Sequence, residues 1–451
     1  MAATAELGSL QPGAEPAGLS AGRLRQFLGY ARKVYGLDTL LGGVRDQRIT
    51  PTVATALVTR AIFLLGLLRI RSFNALEPKL AEPWMLRALG VGLESAKRAF
   101  SVDTIAYSLA RADVASTRNA VVQLVRHAER NKVFREGWHA ALRVVALDGW
   151  EPISSFERHC PACLTRQVHI KSGDTVVERT QYYHAFVVAL LVDERLDTVI
   201  DMEPIRSADV RTDIAKAKLR GHEGELTAGK RLMARLRLTY GRWIDAVVVD
   251  ALYANGPFLT AAKEAGLGVF VMLQKETDEP LKEALALCKD MPADKTVDTN
   301  DEHIELWDRP GIETLSTYDA PIRVVRASIT NTATGRASTW CVATIGCASR
   351  VSAAHVLSIG RGRWHIENTA FHQFTHRWRF AHVFSHGPKA IPALFWIFML
   401  AFNLLQLFLY RQLCSYGRDR GKDVTRTISR LIDEMIDDLA RLDGVIVWDS
   451  S

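Results

Sequence analysis

The N-terminal part of the chain, from residue 21 to about residue 137, has the apolar spacing of helices. Apolar residues recur every three or four positions, which places them on one face of a helix. The clearest runs are Leu24, Phe27, Leu28 and Ala31, and then Ala54, Leu57, Ala61, Leu64 and Leu68. Residues 1–20 are rich in Ala, Gly and Pro and lack such a period, which predicts a disordered tail.

Two short helices near residues 101–130 carry several arginines. Ser101 and Ser116 are residues that cap helix N-termini, so each predicts the start of one helix. The arginines on this pair are Arg111, Arg118, Arg126 and Arg130. The pair is compatible with a helix-turn-helix DNA reader, or with two helices that only pack against each other.

From residue 143 the pattern changes to short apolar runs. These predict strands at residues 143–147, 182–192, 198–205, 246–249 and 268–273, and helices at 226–239 and 257–265. Strands in series followed by strand–helix–strand alternation imply a mixed α/β sheet. Residues 276–354 read as a short helix at 280–288 followed by β-leaning runs such as 322–329 and 338–345, which predicts a β-rich insertion.

The chain is again helical from residue 352. Residues 390–410 form an apolar run of transmembrane length. A buried core helix is the favoured interpretation because Pro392, Asn403 and Gln406 interrupt the run and no second such run exists. A membrane anchor is the alternative. Residues 424–442 are amphipathic, which predicts a packing helix or a dimer contact, with one apolar face made of Ile428, Leu431, Ile432, Met435, Ile436 and Leu439.

Composition and charge narrow the class of protein. With 48% apolar and 24% charged residues the chain has the composition of a globular protein, which excludes collagen-like and largely disordered chains. Six scattered Cys favour a reducing compartment, and residues 1–20 do not have the pattern of a secretory signal. Residues 21–143 hold 20 Lys and Arg against 9 Asp and Glu, although the whole chain is only +7. This excess favours a nucleic-acid partner, with a solvated basic surface as the alternative.

Two aspartates and one Arg–Glu pair are the candidates for chemistry. Asp148 and Asp250 each follow an apolar strand run, where a carboxylate is costly unless it is paired or binds a metal ion. Their oxygens suit a hard cation such as Mg²⁺, although Asp148-Gly149 is also an ordinary turn dipeptide. Arg363 and Glu367 lie four positions apart on a predicted helix, a spacing that also occurs in plain surface ion pairs.

In this order, these residues resemble the DDE transposases of bacterial insertion sequences. The signature of that family is Tyr-x₂-Arg-x₃-Glu-x₆-Lys, and Arg363 and Glu367 match it, whereas Gly360 stands at the Tyr position and Phe374 at the Lys position. Arg377 and Arg379 lie one turn further on and could replace the lost Lys. A subgroup of the family shares further motifs, which here are Asp148, Gly149, Glu151, Ser154 and Ser155, then His159, Cys160, Pro161, Cys163, Thr165 and Arg166, and finally His386-Gly387.

The resemblance implies a fold, a chemistry and a set of partners. The implied fold is an RNase H-like mixed α/β sheet interrupted by a β-rich insertion and preceded by an all-helical N-terminal region. The expected domains are a tail at 1–20, a helical DNA-binding region at 21–140, the core at 141–275 and 355–415, the insertion at 276–354, and a C-terminal helix and tail at 416–451.

The implied chemistry is cleavage and transfer of DNA strands. Asp148, Asp250 and Glu367 would be catalytic and would hold two Mg²⁺ or Mn²⁺ ions, while Arg363, Arg377 and Arg379 would contact DNA phosphates. At least one of the three acids should have a raised pKa before metal binds. The expected partners are transposon ends, target DNA and further copies of the chain, in the bacterial cytoplasm at the nucleoid and without a membrane. A catalytically silent, DNA-binding descendant is the alternative.

Cys160 and Cys163 form a Cys-x₂-Cys motif. With His169 and His184 they could hold a structural zinc ion, although a second ligand pair at similar spacing is not evident. An inert pair of thiols in a loop is the alternative, and a redox pair is disfavoured because no helix start follows the motif.

Overall fold

A computed structural model gives the structure of residues 22–93, 98–137, 141–172, 175–192, 196–208, 221–274, 279–315, 317–413, 423–442 and 444–448. The predicted tail at residues 1–20 lies outside them. The N-terminal part is helical, as predicted, and its helices are α1 (Arg23–Tyr35), α2 (Leu37–Gly42), α3 (Thr55–Leu67), α4 (Phe73–Leu76), α5 (Pro83–Leu89), α6 (Val102–Ala110) and α7 (Val114–Arg130).

The start of α7 differs from the prediction. Asp113, and not Ser116, is its N-cap, because the Asp113 carboxylate accepts hydrogen bonds from the amides of Ala115 and Ser116 at 3.1 and 3.4 Å. Ser116 is buried in the first turn, where its hydroxyl accepts a hydrogen bond from the Arg45 amide at 2.9 Å. The prediction for α6 is confirmed, since Ser101 occupies its N-cap position.

Within the described residues, ten strands form one sheet. They are β1 (Val144–Ser155), β2 (Leu164–Ser172), β3 (Thr175–Leu191), β4 (Thr198–Pro204), β5 (Ala246–Val249), β6 (Gly268–Leu273), β7 (Lys295–Asp298), β8 (Glu302–Ile312), β9 (Ile322–Asn331) and β10 (Ala337–Ile345). The central strands lie in the order β4-β3-β1-β5-β6, with antiparallel pairs from β4 to β1 and parallel pairs from β1 to β6. This arrangement is the RNase H-like mixed sheet that the resemblance implied.

The β-rich region continues this sheet. β10 pairs antiparallel with β6, and β9, β8 and β7 follow in turn at the same edge. Residues 276–354 are therefore rich in strands, as expected, but their strands extend the central sheet and do not form a sheet of their own.

The remaining helices cover the sheet and join it to the N-terminal part. They are α8 (Glu225–Tyr240), α9 (Gly256–Glu264), α10 (Glu279–Cys288), α11 (Ala353–Gly362), α12 (His372–His376), α13 (Ala390–Leu407) and α14 (Asp423–Ala440), with π-helical turns at Ile366–Phe371 and Phe408–Gln412.

The apolar helix α13 lies in the core of the molecule. All of its residues are buried, and it contacts α3, α6, α7 and β4. Its buried Asn403 pairs with the backbone of Val199 in β4: the side-chain amide donates to the carbonyl at 2.8 Å, and its oxygen accepts from the amide at 3.0 Å. By length and composition α13 could cross a membrane, but 94% of its apolar 18-residue stretch is buried inside the protein. The prediction of a buried core helix is confirmed.

The C-terminal helix α14 packs on α1 and α5. Its buried stripe contains Ile428, Leu431, Ile432, Met435 and Leu439. Ile436 was expected on the same face but is 45% exposed, because the buried stripe is narrower than the predicted one and Ile436 lies on its flank.

Candidate active site

The first two acids meet where two parallel strands run side by side. Asp148 lies inside β1 and does not end the strand as predicted, because β1 continues to pair with β3 through Asp148 and Gly149. Ala146 of β1 lies opposite Val248 of β5, so the same register places Asp148 level with Asp250. Asp250 directly follows β5, as predicted, and its Oδ1 accepts a hydrogen bond from the Leu252 amide at 2.9 Å.

Arg363 joins the first acid to the third. It lies just after α11, and its Nη1 is 3.2 Å from Asp148 Oδ2 while its Nη2 is 2.7 Å from Glu367 Oε1. Arg363 is only 3% exposed, so its guanidinium group is shielded from solvent in both ion pairs. The Arg–Glu pair is thus no ordinary surface ion pair, because its arginine also binds a buried carboxylate from another element.

Aromatic packing holds the helical segment of Glu367 against β1. Trp150, two residues after Asp148, stacks on Phe371 at 5.8 Å and contacts Phe374 at 5.2 Å between ring centroids. Trp364 of the same segment is 38% exposed. The contacts of Trp150 therefore fix the turn that brings Glu367 towards Asp148.

The two departures from the family signature are explained by how the chain packs at these positions. A Cβ at Gly360 would lie 2.8 Å from the sulfur of Met272 and 2.9 Å from Val342 Cγ2, because α11 lies close against β6 and β10. A Tyr has no room at this position. Phe374 is fully buried among aromatic rings, where a Lys would lose its hydration.

A fourth carboxylate, which the sequence analysis missed, lies beside the first two acids. Glu225 begins α8, and its Oε1 accepts a hydrogen bond from the Tyr253 hydroxyl at 2.7 Å. A Cβ at Gly149 would lie 2.3 Å from Glu225 Oε2, so the glycine leaves the space that this carboxylate fills. Burial raises the pKa of Glu225, and the charge of Asp250 adds to the rise. In the sequence, the Asp148-Gly149 dipeptide was the one signal for this contact, but it did not indicate that Glu225 would be the partner.

Burial raises the pKa of Asp148 to about 7. Arg363 opposes this rise, but the negative charges of Glu367, Glu225 and Asp250 add to it. The expectation that one acid of the site would have a raised pKa is confirmed. The negative charges of Glu367, Glu225 and Asp250 thus act together on Asp148, which favours the binding of a divalent cation beside it.

Glu151, the family-motif acid closest to Asp148, has a different environment. Its two carboxylate oxygens accept hydrogen bonds from Arg166 at 2.6 and 2.8 Å, and Arg166 also donates to Gln181 of β3. Glu151 and Arg166 therefore join strands β1, β2 and β3, away from the acids that Arg363 binds.

Arg377 and Arg379 lie beside Arg69 of the N-terminal helical region. Burial together with the charges of Arg377 and Arg379 lowers the pKa of Arg69 to about 10. Among the described residues, no hydrogen-bond partner faces the buried Nε and Nη2 of Arg69 or the buried Nε of Arg377. These three residues, called here the arginine cluster, are a basic surface suited to phosphate oxygens.

The arginines of α7 have another use. Arg118 donates to both carboxylate oxygens of the fully buried Asp201 in β4, and Arg126 donates to the Thr239 carbonyl at 2.7 Å. These two side chains hold α7 against the core. The interpretation of α6 and α7 as a DNA reader stays a prediction, and two of its four arginines, Arg118 and Arg126, have this structural role.

The Cys-x₂-Cys motif belongs to a second group of metal-binding residue types. Within the described part of the chain, Cys160, Cys163, His184 and His386 bring their ligand atoms within 4.8 Å of one another, which no group of acids does. His184 was predicted as a ligand, whereas the predicted His169 is exposed on β2 and takes no part. His386 was not identified as a ligand from the sequence, although the His386-Gly387 motif was a signal for it.

Comparison with known proteins places part of the chain near a known family. A model of the transposase DDE domain family matches residues 209–404, a segment that includes Asp250, Arg363 and Glu367 and begins after Asp148. No curated protein matches the chain significantly. The family match and the RNase H-like sheet together make the chain similar to the DDE transposases of the insertion-sequence type.

Proposed function

We propose that the chain cleaves and transfers DNA strands at the ends of an insertion sequence, with Asp148, Asp250 and Glu367 as its metal-binding acids. The observation that carries the proposal is the bridge that Arg363 forms between Asp148 and Glu367, beside a strand register that aligns Asp148 with Asp250. Acids from a strand, a strand end and a helical turn are thereby brought into one neighbourhood.

The donor set fits Mg²⁺. It consists of carboxylate oxygens, which hard divalent cations prefer, and Glu225 adds a fourth carboxylate nearby. When bound, Mg²⁺ would activate the attacking water or 3′-hydroxyl and stabilise the leaving oxygen of the scissile phosphate. The presence of all three acids favours catalysis over a silent, DNA-binding descendant.

The residues of the chain itself orient the site. Arg363 supplies a positive charge between Asp148 and Glu367, which keeps these two carboxylates close in spite of their repulsion. The buried Nε of Arg363 has no hydrogen-bond partner among the described residues. It can therefore donate to a phosphate oxygen that enters between the acids.

The family that matches implies DNA as the partner, and action on DNA supports a cytoplasmic location as part of the proposal. We propose further that the arginine cluster contacts DNA phosphates, and that several copies of the chain assemble on the paired ends. The excess of basic residues at 21–143 supports the same partner.

Cleavage of a DNA duplex that carries an element end tests the three acids. The variants Asp148→Asn, Asp250→Asn and Glu367→Gln keep the side-chain size and remove one ligand oxygen charge each. Each should lower Mg²⁺-dependent nicking by roughly two orders of magnitude or more, because metal positioning provides most of the rate. DNA binding, measured by fluorescence anisotropy, should be retained.

Two further variants make the assignment specific. Glu151→Gln is the matched control and should keep near-normal nicking, since it loses only a half-exposed ion pair with Arg166. Glu225→Gln tests whether Glu225, and not Glu367, is the third metal-binding acid. It should retain more activity than Glu367→Gln. Full activity of Glu367→Gln, or the reverse order of these two variants, would contradict the proposed triad.

A further inference from the structure

Four side chains from three separate segments meet at a second point of the molecule. Cys160 and Cys163 come from the turn between β1 and β2, His184 from β3, and His386 from the segment that leads into α13. Cys163 and His184 are buried, and Cys160 and His386 are half-buried.

All distances between the four ligand atoms are below 4.8 Å, and four of the six can be compared with those around a tetrahedral zinc ion. The two Sγ atoms are 3.8 Å apart, Cys160 Sγ is 3.5 Å from His184 Nε2, and Cys163 Sγ lies 3.3 Å from His184 Nε2 and 3.1 Å from His386 Nε2. Zinc bonds of about 2.3 Å to sulfur and 2.0–2.1 Å to nitrogen require edges of about 3.8 Å between sulfurs and about 3.5 Å between sulfur and nitrogen. The observed edges agree with this geometry to within about 0.4 Å.

The turn that carries both cysteines is already shaped for a metal ion. The Cys160 amide donates a hydrogen bond to Cys163 Sγ at 3.2 Å, and the Cys163 amide donates to the Cys160 carbonyl at 3.0 Å. These two bonds close the turn that brings the two sulfurs within 3.8 Å of each other.

We propose that Cys160, Cys163, His184 and His386 bind one structural Zn²⁺ ion. Two thiolates and two imidazoles in a tetrahedron select zinc over the hard cations that carboxylates bind. All four positions are filled by the protein, so the site is closed and has no place for a substrate. It is therefore separate in chemistry from the site of Asp148, and it does not depend on the proposed catalytic function.

The zinc ion joins the two parts of the chain that carry the acids of the active site. Its cysteines and His184 belong to the β1–β3 unit, which contains Asp148, whereas His386 follows the helical segment of Glu367. The ion thus acts as a cross-link between the β1–β3 unit and the segment that enters α13. Its loss should loosen this connection and lower the stability of the whole chain.

Metal analysis of the full chain tests the site. Protein purified without added metal or chelator should contain about one zinc per chain by mass spectrometry of the elements. Cys163→Ser and His386→Ala should each reduce this content to less than half. The control His169→Ala removes a histidine from β2 that lies outside the cluster and should keep the full equivalent.

A measurement on the wild-type chain covers the case in which these variants do not fold. Removal of zinc by a chelator should lower the melting temperature by about 5 °C or more, and Zn²⁺ but not Mg²⁺ should restore it. Reconstitution with Co²⁺ should give the visible bands of a tetrahedral ion with thiolate charge transfer. Protein that contains no zinc, takes up no Co²⁺ and melts at the same temperature with a chelator would overturn the proposal, as would iron in place of zinc.

Discussion

At the scale of single residues, the state of Asp148 depends on burial more than on its ion pair. Arg363 lies within 3.2 Å of its carboxylate and still does not offset the burial and the three neighbouring acids. An acid with a raised pKa resists ionisation until a cation enters. The same feature that prepares the site for metal therefore costs stability at neutral pH when no metal is bound.

The pH dependence of unfolding tests this conclusion. The pKa of Asp148 rises from 3.8 to about 7 on folding, so the folded chain keeps a proton that the unfolded chain releases. This contribution to stability is full below about pH 4 and is lost as the pH rises towards 7, at about 1.4 kcal/mol per pKa unit. In Asp148→Asn the decrease in stability between pH 5 and pH 8 should be smaller by about 1–3 kcal/mol. Urea unfolding without added Mg²⁺ measures it, and equal decreases in both proteins would contradict it.

Much of the site could be predicted from local sequence, and its missing members could not. Asp148 and Asp250 follow apolar strand runs, and Arg363 and Glu367 share a helical spacing, so each leaves a local signal. Glu225 and His386 approach their sites only through the packing of distant elements. Spacing along the chain does not indicate such contacts. For this reason the sequence pointed to His169, and not to His386, as a metal ligand.

At the scale of elements, the spacing of apolar residues predicted the order of the strands and helices well. It predicted less accurately the residues at which they begin and end. The strand of Asp148 was predicted to stop at residue 147 because an acid follows an apolar run. In the structure, backbone pairing with β3 carries β1 on to Ser155. Whether an edge of a strand has a partner is a tertiary property, so the length of β1 could not be read from its own residues.

The Glu367 segment provides a test of how packing overrides a family pattern. Phe374 stands at the Lys position of the signature and is fully buried beside Trp150 and Phe380. Phe374→Lys, which restores the family residue, should destabilise the chain by about 3–5 kcal/mol, because the ammonium group has no partner there. Phe374→Leu should cost only about 1–2 kcal/mol. Urea unfolding compares the two, and a Lys variant as stable as the Leu variant would contradict the packing argument.

At the scale of the whole molecule, the N-terminal helical region and the sheet share one hydrophobic core. Helix α13 contacts α3, α6 and α7 on the one hand and β4 on the other, and the ion pair of Arg118 with Asp201 joins α7 to the same strand. Composition and charge identified the helical region as basic. They could not reveal that it is packed around a helix from the far end of the chain. DNA binding is accordingly tested on the full chain and not on an N-terminal fragment.

The arginine cluster combines this basic region with the segment after Glu367, and salt dependence can test its role. If Arg377 and Arg379 each contact one phosphate, replacement of both by Gln should reduce the log–log slope of DNA affinity against salt by about 1.8, since each contact contributes about 0.9.

Lys282→Gln is the control, because the Lys282 ammonium pairs with Glu279 on α10 and the variant also loses a positive charge. Its slope should remain that of the wild type. Fluorescence anisotropy from low to moderate salt gives the slopes. An unchanged slope in the Arg377→Gln, Arg379→Gln variant would place the DNA on another surface. An equal loss in the control would show that net charge, and not contact at the cluster, sets the affinity.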